Sequence, residues 1–247
     1  AGSVSKTRVA RIDAEAGDRR LCGGQVATTM TACAALGLDV AYAGAIGRDD
    51  DGAMVREALT NFGVDLTYLH VRDAATRTAL ILVDADTGER SVYWQRDGAL
   101  DLAPAEVDAI SLTGVRAVHV DDTDFEASIR LAGRARDAGV IVTTDIDAGA
   151  SLAGRGVVDL MALATHLILS ESALAQLSGA SDPAAGLRVL RQRHAGVLVV
   201  TLGPRGSMAL DTGPGADVVA MPAPQVTAVD TTGAGDVFRA GYLAGLL

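Results

Sequence analysis

The sequence predicts a doubly wound α/β domain, a mostly parallel sheet flanked by helices, with a small β lid. Three observations carry that expectation. From about residue 115 onward, short apolar runs alternate with amphipathic segments, the pattern of βαβ units whose strands are buried on both faces. Aromatic residues make up only 3% of the 247, against a hydrophobic fraction of 49%. A core of Ala, Val, Leu and Ile suits helices packed close on a sheet. Glycines stand where helices should open or stop, at Gly23, Gly24, Gly37 and Gly63.

In chain order, the polar stretch 4–21 alternates weakly and predicts one or two strands exposed on at least one face. Residues 22–37 predict a helix opened by the glycine pair and ended by Gly37. A short apolar strand follows at 40–47, then an amphipathic helix at 51–63, capped near Asp51. The segment 78–94 predicts two strands joined by a turn at Asp86-Thr87-Gly88. Strands at 115–120, 140–147, 166–170 and 197–203 alternate with helices at 125–139, about 153–164, 171–179 and about 183–194. The runs 206–211 and 217–222 predict an antiparallel addition at the sheet edge. No repeat or low-complexity linker divides the chain, so 1–247 is expected to be a single domain.

Charge and composition exclude several functions. The net charge is −10 and Lys6 is the one lysine, a balance that repels phosphate backbones and argues against nucleic acid as a partner. A Walker-type loop needs Gly-Lys-Ser/Thr, which is absent. No GxGxxG follows a strand, which disfavours a dehydrogenase. Cys22 and Cys33 are expected to be free thiols and not a disulfide framework. The four histidines lack zinc-ligand spacing. No apolar run reaches the roughly 20 residues of a membrane span, and residues 1–13 lack the apolar middle of a signal peptide. A soluble cytoplasmic protein with no membrane partner is the expectation.

The densest signal is the run Val229 to Gly241, VDTTGAGDVFRAG, which sets a Gly-Ala-Gly turn at the start of an apolar helix. Backbone N–H groups of Gly233, Ala234 and Gly235 would point out of that helix end and, with the helix dipole, form an anion site. Asp236 follows in the first turn, where a carboxylate can take a proton from a hydroxyl while the N–H groups hold a transferring phosphoryl group. A capped helix after a glycine turn would leave a similar trace in a lone GxGD. The full Asp-Thr-Thr-Gly-Ala-Gly-Asp run outweighs that reading.

At these residues the chain resembles the ribokinase-like, or PfkB, carbohydrate kinase family. DTTGAGD is similar to that family's C-terminal signature. The stretch from Gly23 to Gly52 resembles its N-terminal signature, and VVTLGPRG, with Thr201, Gly203 and Gly206, its nucleotide-binding strand end. The resemblance implies an ATP-dependent kinase that phosphorylates a hydroxyl of a small carbohydrate. Asp236 would be the base and Gly233, Ala234 and Gly235 the anion hole. Gly23, Gly24 and Thr28 would border the sugar. Thr201, Gly203 and Gly206 would meet the nucleotide, and Glu171 would order water on its Mg2+. Asp230 and Thr232 match positions of a monovalent-cation site, K+ in the first instance. The lid from 4–21 and 78–94 would cover the sugar, exclude water and double as a homodimer surface. The family's first strand and last helices have no counterpart in the chain.

Two positions depart from the family pattern. Thr28 stands where the family has Asn, which bears on the sugar chosen. Ser170-Glu171-Ser172-Ala173 stands where the family has Asn-x-x-Glu, which bears on how magnesium is ordered. Asp121, Asp122 and Asp124 follow a strand at its C-terminal end, where α/β sheets place ligands, and substrate binding at Asp122 or helix capping is favoured over a metal cluster. Asp145 and Asp147 end the next strand and are read in the same way. His119 reads as a core histidine, and Trp94 either packs on the sugar or covers the sheet. A nucleoside kinase of the same fold and a non-catalytic sugar-binding relative remain as alternatives. An acidic strand-end loop and a lone lysine favour a neutral sugar, although Arg77, Arg90 and Arg96 of the lid could receive an anion.

Overall fold

The computed structural model describes residues 21–83, 90–95, 98–146, 152, 154–213, 215–227 and 231–247. The strands expected within 4–21, the turn at 86–88, Arg96, Asp147 and Asp230 lie outside the described residues.

The described chain begins with α1 (Gln25–Ala35), β1 (Ala41–Gly47), α2 (Asp50–Asn61) and β2 (Asp65–Arg72). The hairpin strands β3 (Thr78–Val83) and β4 (Arg90–Gln95) and a short α3 (Pro104–Asp108) follow. The alternating series is β5 (Ala117–Val120), α4 (Phe125–Asp137), β6 (Ile141–Ile146), α5 (Arg155–Leu163), β7 (His166–Ser170), α6 (Glu171–Ser178), α7 (Pro183–Arg191) and β8 (Val197–Thr201). The chain closes with β9 (Ser207–Leu210), β10 (Val218–Met221) and α8 (Ala234–Leu246).

Local chemistry accounts for many of the boundaries. Asp49, Asp124, Ser170 and Asp182 each accept a first-turn N–H at the start of α2, α4, α6 and α7. Gly63 and Gly179 follow α2 and α6 with φ of 76° and 71°, the left-handed exit that lacks a Cβ penalty. The cap expected near Asp51 is Asp49, two residues earlier, because its Oδ1 is the atom that reaches Gly52 N–H, at 2.8 Å. Asp124 is likewise a cap, as foreseen for that acidic loop.

Six strands form one sheet in the order β10-β9-β8-β7-β6-β5, parallel from β5 to β8 and antiparallel through β9 and β10. The antiparallel edge expected at 206–222 is therefore present. β1 and β2 make a separate parallel pair, and β3 and β4 the antiparallel lid hairpin. β2 is an element the sequence reading passed over: its apolar and polar residues alternate in Asp65–Tyr68 and again in Leu69–Arg72, but the phase shifts by one residue between the two halves.

The sheet is covered on both faces, and the period of two along each strand shows how. Val118, Val120, Val142, Ile146, Leu167, Leu169, Leu198 and Val200 pack in the two clusters shared with α4, α5, α6 and α7. The opposite face of β5 and β6 carries His119, Thr143 and Asp145, all buried. That face lies under α8, whose Arg239 reaches Asp145 and whose Tyr242 ring stands 5.9 Å from that of His166 on β7. α1 packs against α8 through Cys33, Ala240 and Leu243. Both cysteines are free, and burial pushes the Cys33 thiol up to about 11. No helix among the described residues is long and apolar enough to cross a membrane.

Candidate active site

The pairing of α1 with α8 builds the site. Gly24 is the N-cap of α1, with φ of 105°. Gly233 is the N-cap of α8, with φ of 77°, a left-handed turn that glycine adopts without strain. The two glycine-led ends come together over some two hundred residues of sequence: Thr29 Oγ1 donates to the carbonyl of Asp236 at 3.3 Å. A Cβ placed on Gly233 would lie 3.6 Å from Thr28 Cγ2 and 3.8 Å from Asp236 Oδ2. Thr28, Gly233 and Asp236 are thus mutual neighbours.

A cleft of about 370 Å³ opens beside them. Gly233, Gly235, Asp236 and Arg239 of α8 line one side, and Ile168, Leu169 and Thr201 of the sheet line another. Gln25 adds to it from the first turn of α1, and Trp94 reaches it from the lid hairpin while staying 61% exposed.

Of the three N–H groups expected at the anion site, that of Ala234 donates to Thr231 O at 3.1 Å and closes the turn. Gly235 follows in the first turn of α8, where an α-helix offers its N–H groups no acceptor of its own, and Ala234 is committed to the turn.

The remaining expected residues lie around this centre at different removes. Thr201 ends β8 at the cleft, and Gly203 and Gly206 shape the turn after it. Glu171 opens α6, lines a neighbouring cleft with Ser172, and is ion-paired to Arg205 of that same turn. Asp122 is half-buried past the end of β5 and is not among the residues lining the α8 cleft. Thr232 lies in the turn before α8. Among the described residues no three His, Cys, Asp or Glu side chains gather to hold a metal ion.

His119 does more than fill the core. Its Nδ1 meets Thr143 Oγ1 at 2.9 Å and its Nε2 lies 3.4 Å from Asp145 Oδ1. Asp145 Oδ2 is 2.5 Å from Arg239 Nη2, and Arg239 Nη1 is 2.5 Å from Asp236 Oδ1. Sequence reading missed Arg239. The signal available was its i+3 spacing from Asp236 in an otherwise apolar helix, which places the two on one face.

Residues 12–247 match the family model described as pfkB family carbohydrate kinase. The chain is 34% identical over 238 residues to a fructokinase of Klebsiella pneumoniae, covering 91% of this chain and 76% of that one. It is 31% identical over 238 residues to a nucleoside kinase of Methanothermobacter thermautotrophicus, covering 93% and 72%. Among solved structures, ribokinase from Cryptococcus neoformans in complex with ADP superposes with a TM-score of 0.76 at 27% identity, over 91% of this chain and 75% of that one. The match across nearly the whole chain, on a doubly wound sheet with a glycine-led helix at its cleft, shows that this chain belongs to the pfkB family of carbohydrate kinases.

Proposed function

We propose that this kinase, which moves a phosphoryl group from ATP to a sugar hydroxyl, uses Asp236 as general base and the N-terminus of α8 as anion hole, and that its acceptor is a small neutral sugar. The carrying observation is that Gly233 and Asp236 line one cleft with Thr201, and that Thr28 of α1 lies beside Gly233. The acceptor hydroxyl would lie between α1 and Asp236, bordered by Gly23, Gly24 and Thr28, and Trp94 would pack on the sugar face. Asp236 takes the hydroxyl proton as the new O–P bond forms, and ADP leaves as the bond to the transferring phosphorus breaks. The N–H groups of Gly233 and Gly235 would face the oxygens whose charge grows in that step, Ala234 being held to Thr231 by its own.

The nucleotide would occupy the Thr201, Gly203 and Gly206 side. Mg2+ would be carried on the nucleotide phosphates and largely hydrated. Bound there, the ion would neutralise phosphate charge. Glu171 could hold one of its waters only by sharing its carboxylate with Arg205. A K+ site at Asp230 and Thr232 and a homodimer through the lid complete the proposal. The exposed Leu80, Tyr93 and Trp94 of the hairpin support the lid surface, and the two free thiols support a cytoplasmic setting.

The test is Asp236→Asn. It removes the base and keeps its size, so kcat should fall at least about 100-fold, with KM for sugar and ATP little changed. Retention of more than half the wild-type kcat would overturn the assignment. The nucleoside-kinase reading is tested on the same panel of acceptors, in which free sugars should exceed nucleosides in kcat/KM.

A further inference from the structure

Arg239 joins the proposed base to the interior of the sheet. Its side chain is 7% exposed, and those of Asp145 and His119 are 1% exposed. The guanidinium spans two carboxylates, with Nη1 on Asp236 Oδ1 and Nη2 on Asp145 Oδ2, both at 2.5 Å. Asp145 takes no hydrogen bond from a backbone N–H or a hydroxyl among the described residues. Its compensation is ionic, from Arg239 on one oxygen and the His119 ring at 3.4 Å from the other. His119 is in turn held at Nδ1 by Thr143, so the line of contacts runs from the middle of β6 to the cleft without a loose joint.

Geometry at the cleft end gives this line a consequence. The carboxylate of Asp236 is gripped by Oδ1, while Oδ2 lies on the Gly233 side, 3.8 Å from where a Cβ of Gly233 would stand. A planar guanidinium has donors in a rigid fork and can fix two carboxylates at once, whereas an ammonium is a point charge on a flexible stem. In addition, a Cβ on Gly235 would come within 3.6 Å of Arg239 Nη1, so the guanidinium lies directly behind the glycine turn.

We propose that Arg239, anchored on Asp145, is a positioning residue that holds Asp236 by Oδ1 and presents Oδ2 to the acceptor hydroxyl. This rests on the reading of Asp236 as the base. Arg239 exchanges no proton in the step: the hydroxyl proton passes to Asp236, the acceptor oxygen bonds to phosphorus, and the bond to the departing ADP breaks.

A buried ion pair that merely pins α8 to the sheet would look similar at rest, so the test must separate the two. Removing one partner of a buried pair can unfold a protein, whereas replacing the pair by apolar residues of similar volume is often tolerated. Two variants follow. Arg239→Lys keeps the charge and loses the fork. The double variant Arg239→Met with Asp145→Leu removes the charge together with its deep counter-charge. Each is made in the wild-type chain and in the Asp236→Asn chain. Both should melt cooperatively, lower kcat at least tenfold, and leave KM for sugar and ATP within about threefold, because an effect on kcat alone marks an interaction made in the transition state. In the Asp236→Asn chain the same changes should alter kcat less than twofold, since residues acting as a unit are non-additive. A kcat within twofold of wild type for both variants overturns the proposal. So does an equal loss in both backgrounds, which would mean Arg239 acts on the fold or on the phosphoryl group and not through Asp236. An Asp236→Asn chain that keeps more than half the wild-type kcat overturns the base reading itself, and the proposal with it. An active wild type with unaffected variants overturns the proposal alone.

Discussion

Asp121 stands one residue beyond β5, where its carboxyl is raised above the usual range, chiefly by burial and in part by the charge of Asp145. The N–H of Thr123, donated to its Oδ1 at 2.9 Å, offsets this only in part. A carboxyl raised in the folded state binds its proton more tightly there than in the unfolded chain. Stability is therefore lost as pH rises from the unfolded value, about 3.9, through the folded one, and at neutral pH the charge is a burden. Asp121→Asn keeps the acceptor for Thr123 and removes the charge. It should raise the melting temperature at pH 7, and the gain should vanish as pH falls below about 4. A constant gain across that range would place the effect elsewhere. The same residue scale separates the neighbouring carboxylates: Asp124 accepts N–H groups from Leu102 and Ala127 and is a structural cap, whereas Asp145 is committed to Arg239.

Among the elements, the turn between β8 and β9 shows how one glycine can bear more than its neighbour. Gly203 has φ of +57° with nothing near a would-be Cβ. Gly206 has φ of +95°, and a Cβ there would fall 2.0 Å from the carbonyl oxygen of Met221 at the end of β10. Gly203→Ala should cost about 1 kcal/mol, the ordinary penalty of a left-handed residue. Gly206→Ala combines backbone strain with a clash against the edge strand, and should cost more than about 2 kcal/mol. Urea unfolding of the two variants tests the order, and equal midpoints would refute it. Because this turn carries Arg205 to Glu171 and follows Thr201, both changes should also weaken ATP binding, the Gly206 change more.

At the scale of the molecule, net charge and the placement of cations bear on substrate choice. The chain carries −10. Arg239, which lines the cleft, is engaged with Asp145 and Asp236, and Arg77, one of the arginines that could receive an anion, pairs with Asp101. An anionic substrate would need a partner for its buried charge, at a cost of several kcal/mol if it found none. Free ribose, fructose and related sugars should therefore exceed their phosphorylated or sulfonated counterparts in kcat/KM by tenfold or more, about 1.4 kcal/mol in transition-state binding. The reverse preference would overturn this and direct attention to the lid arginines.

The sequence by itself determined the class of fold, the order of its alternating elements, the antiparallel edge and the glycine-led helix of Asp236. Each of these is a local matter: a period of two or of 3.6, a glycine where φ must be positive, a small polar residue where N–H groups need a cap. It left β2 unread, because a strand whose alternation changes phase midway is settled by its partner, here β1, and not by its own pattern. Tertiary structure alone decided that α1 lies against α8, which sets Thr28 beside Gly233 and gathers the cleft. It alone revealed the task of Arg239, since in the sequence that residue is one polar side chain on an apolar helix, 94 positions from Asp145. A buried charge is tolerated only where opposite charges meet it, and which charges meet is fixed by how helices and strands pack.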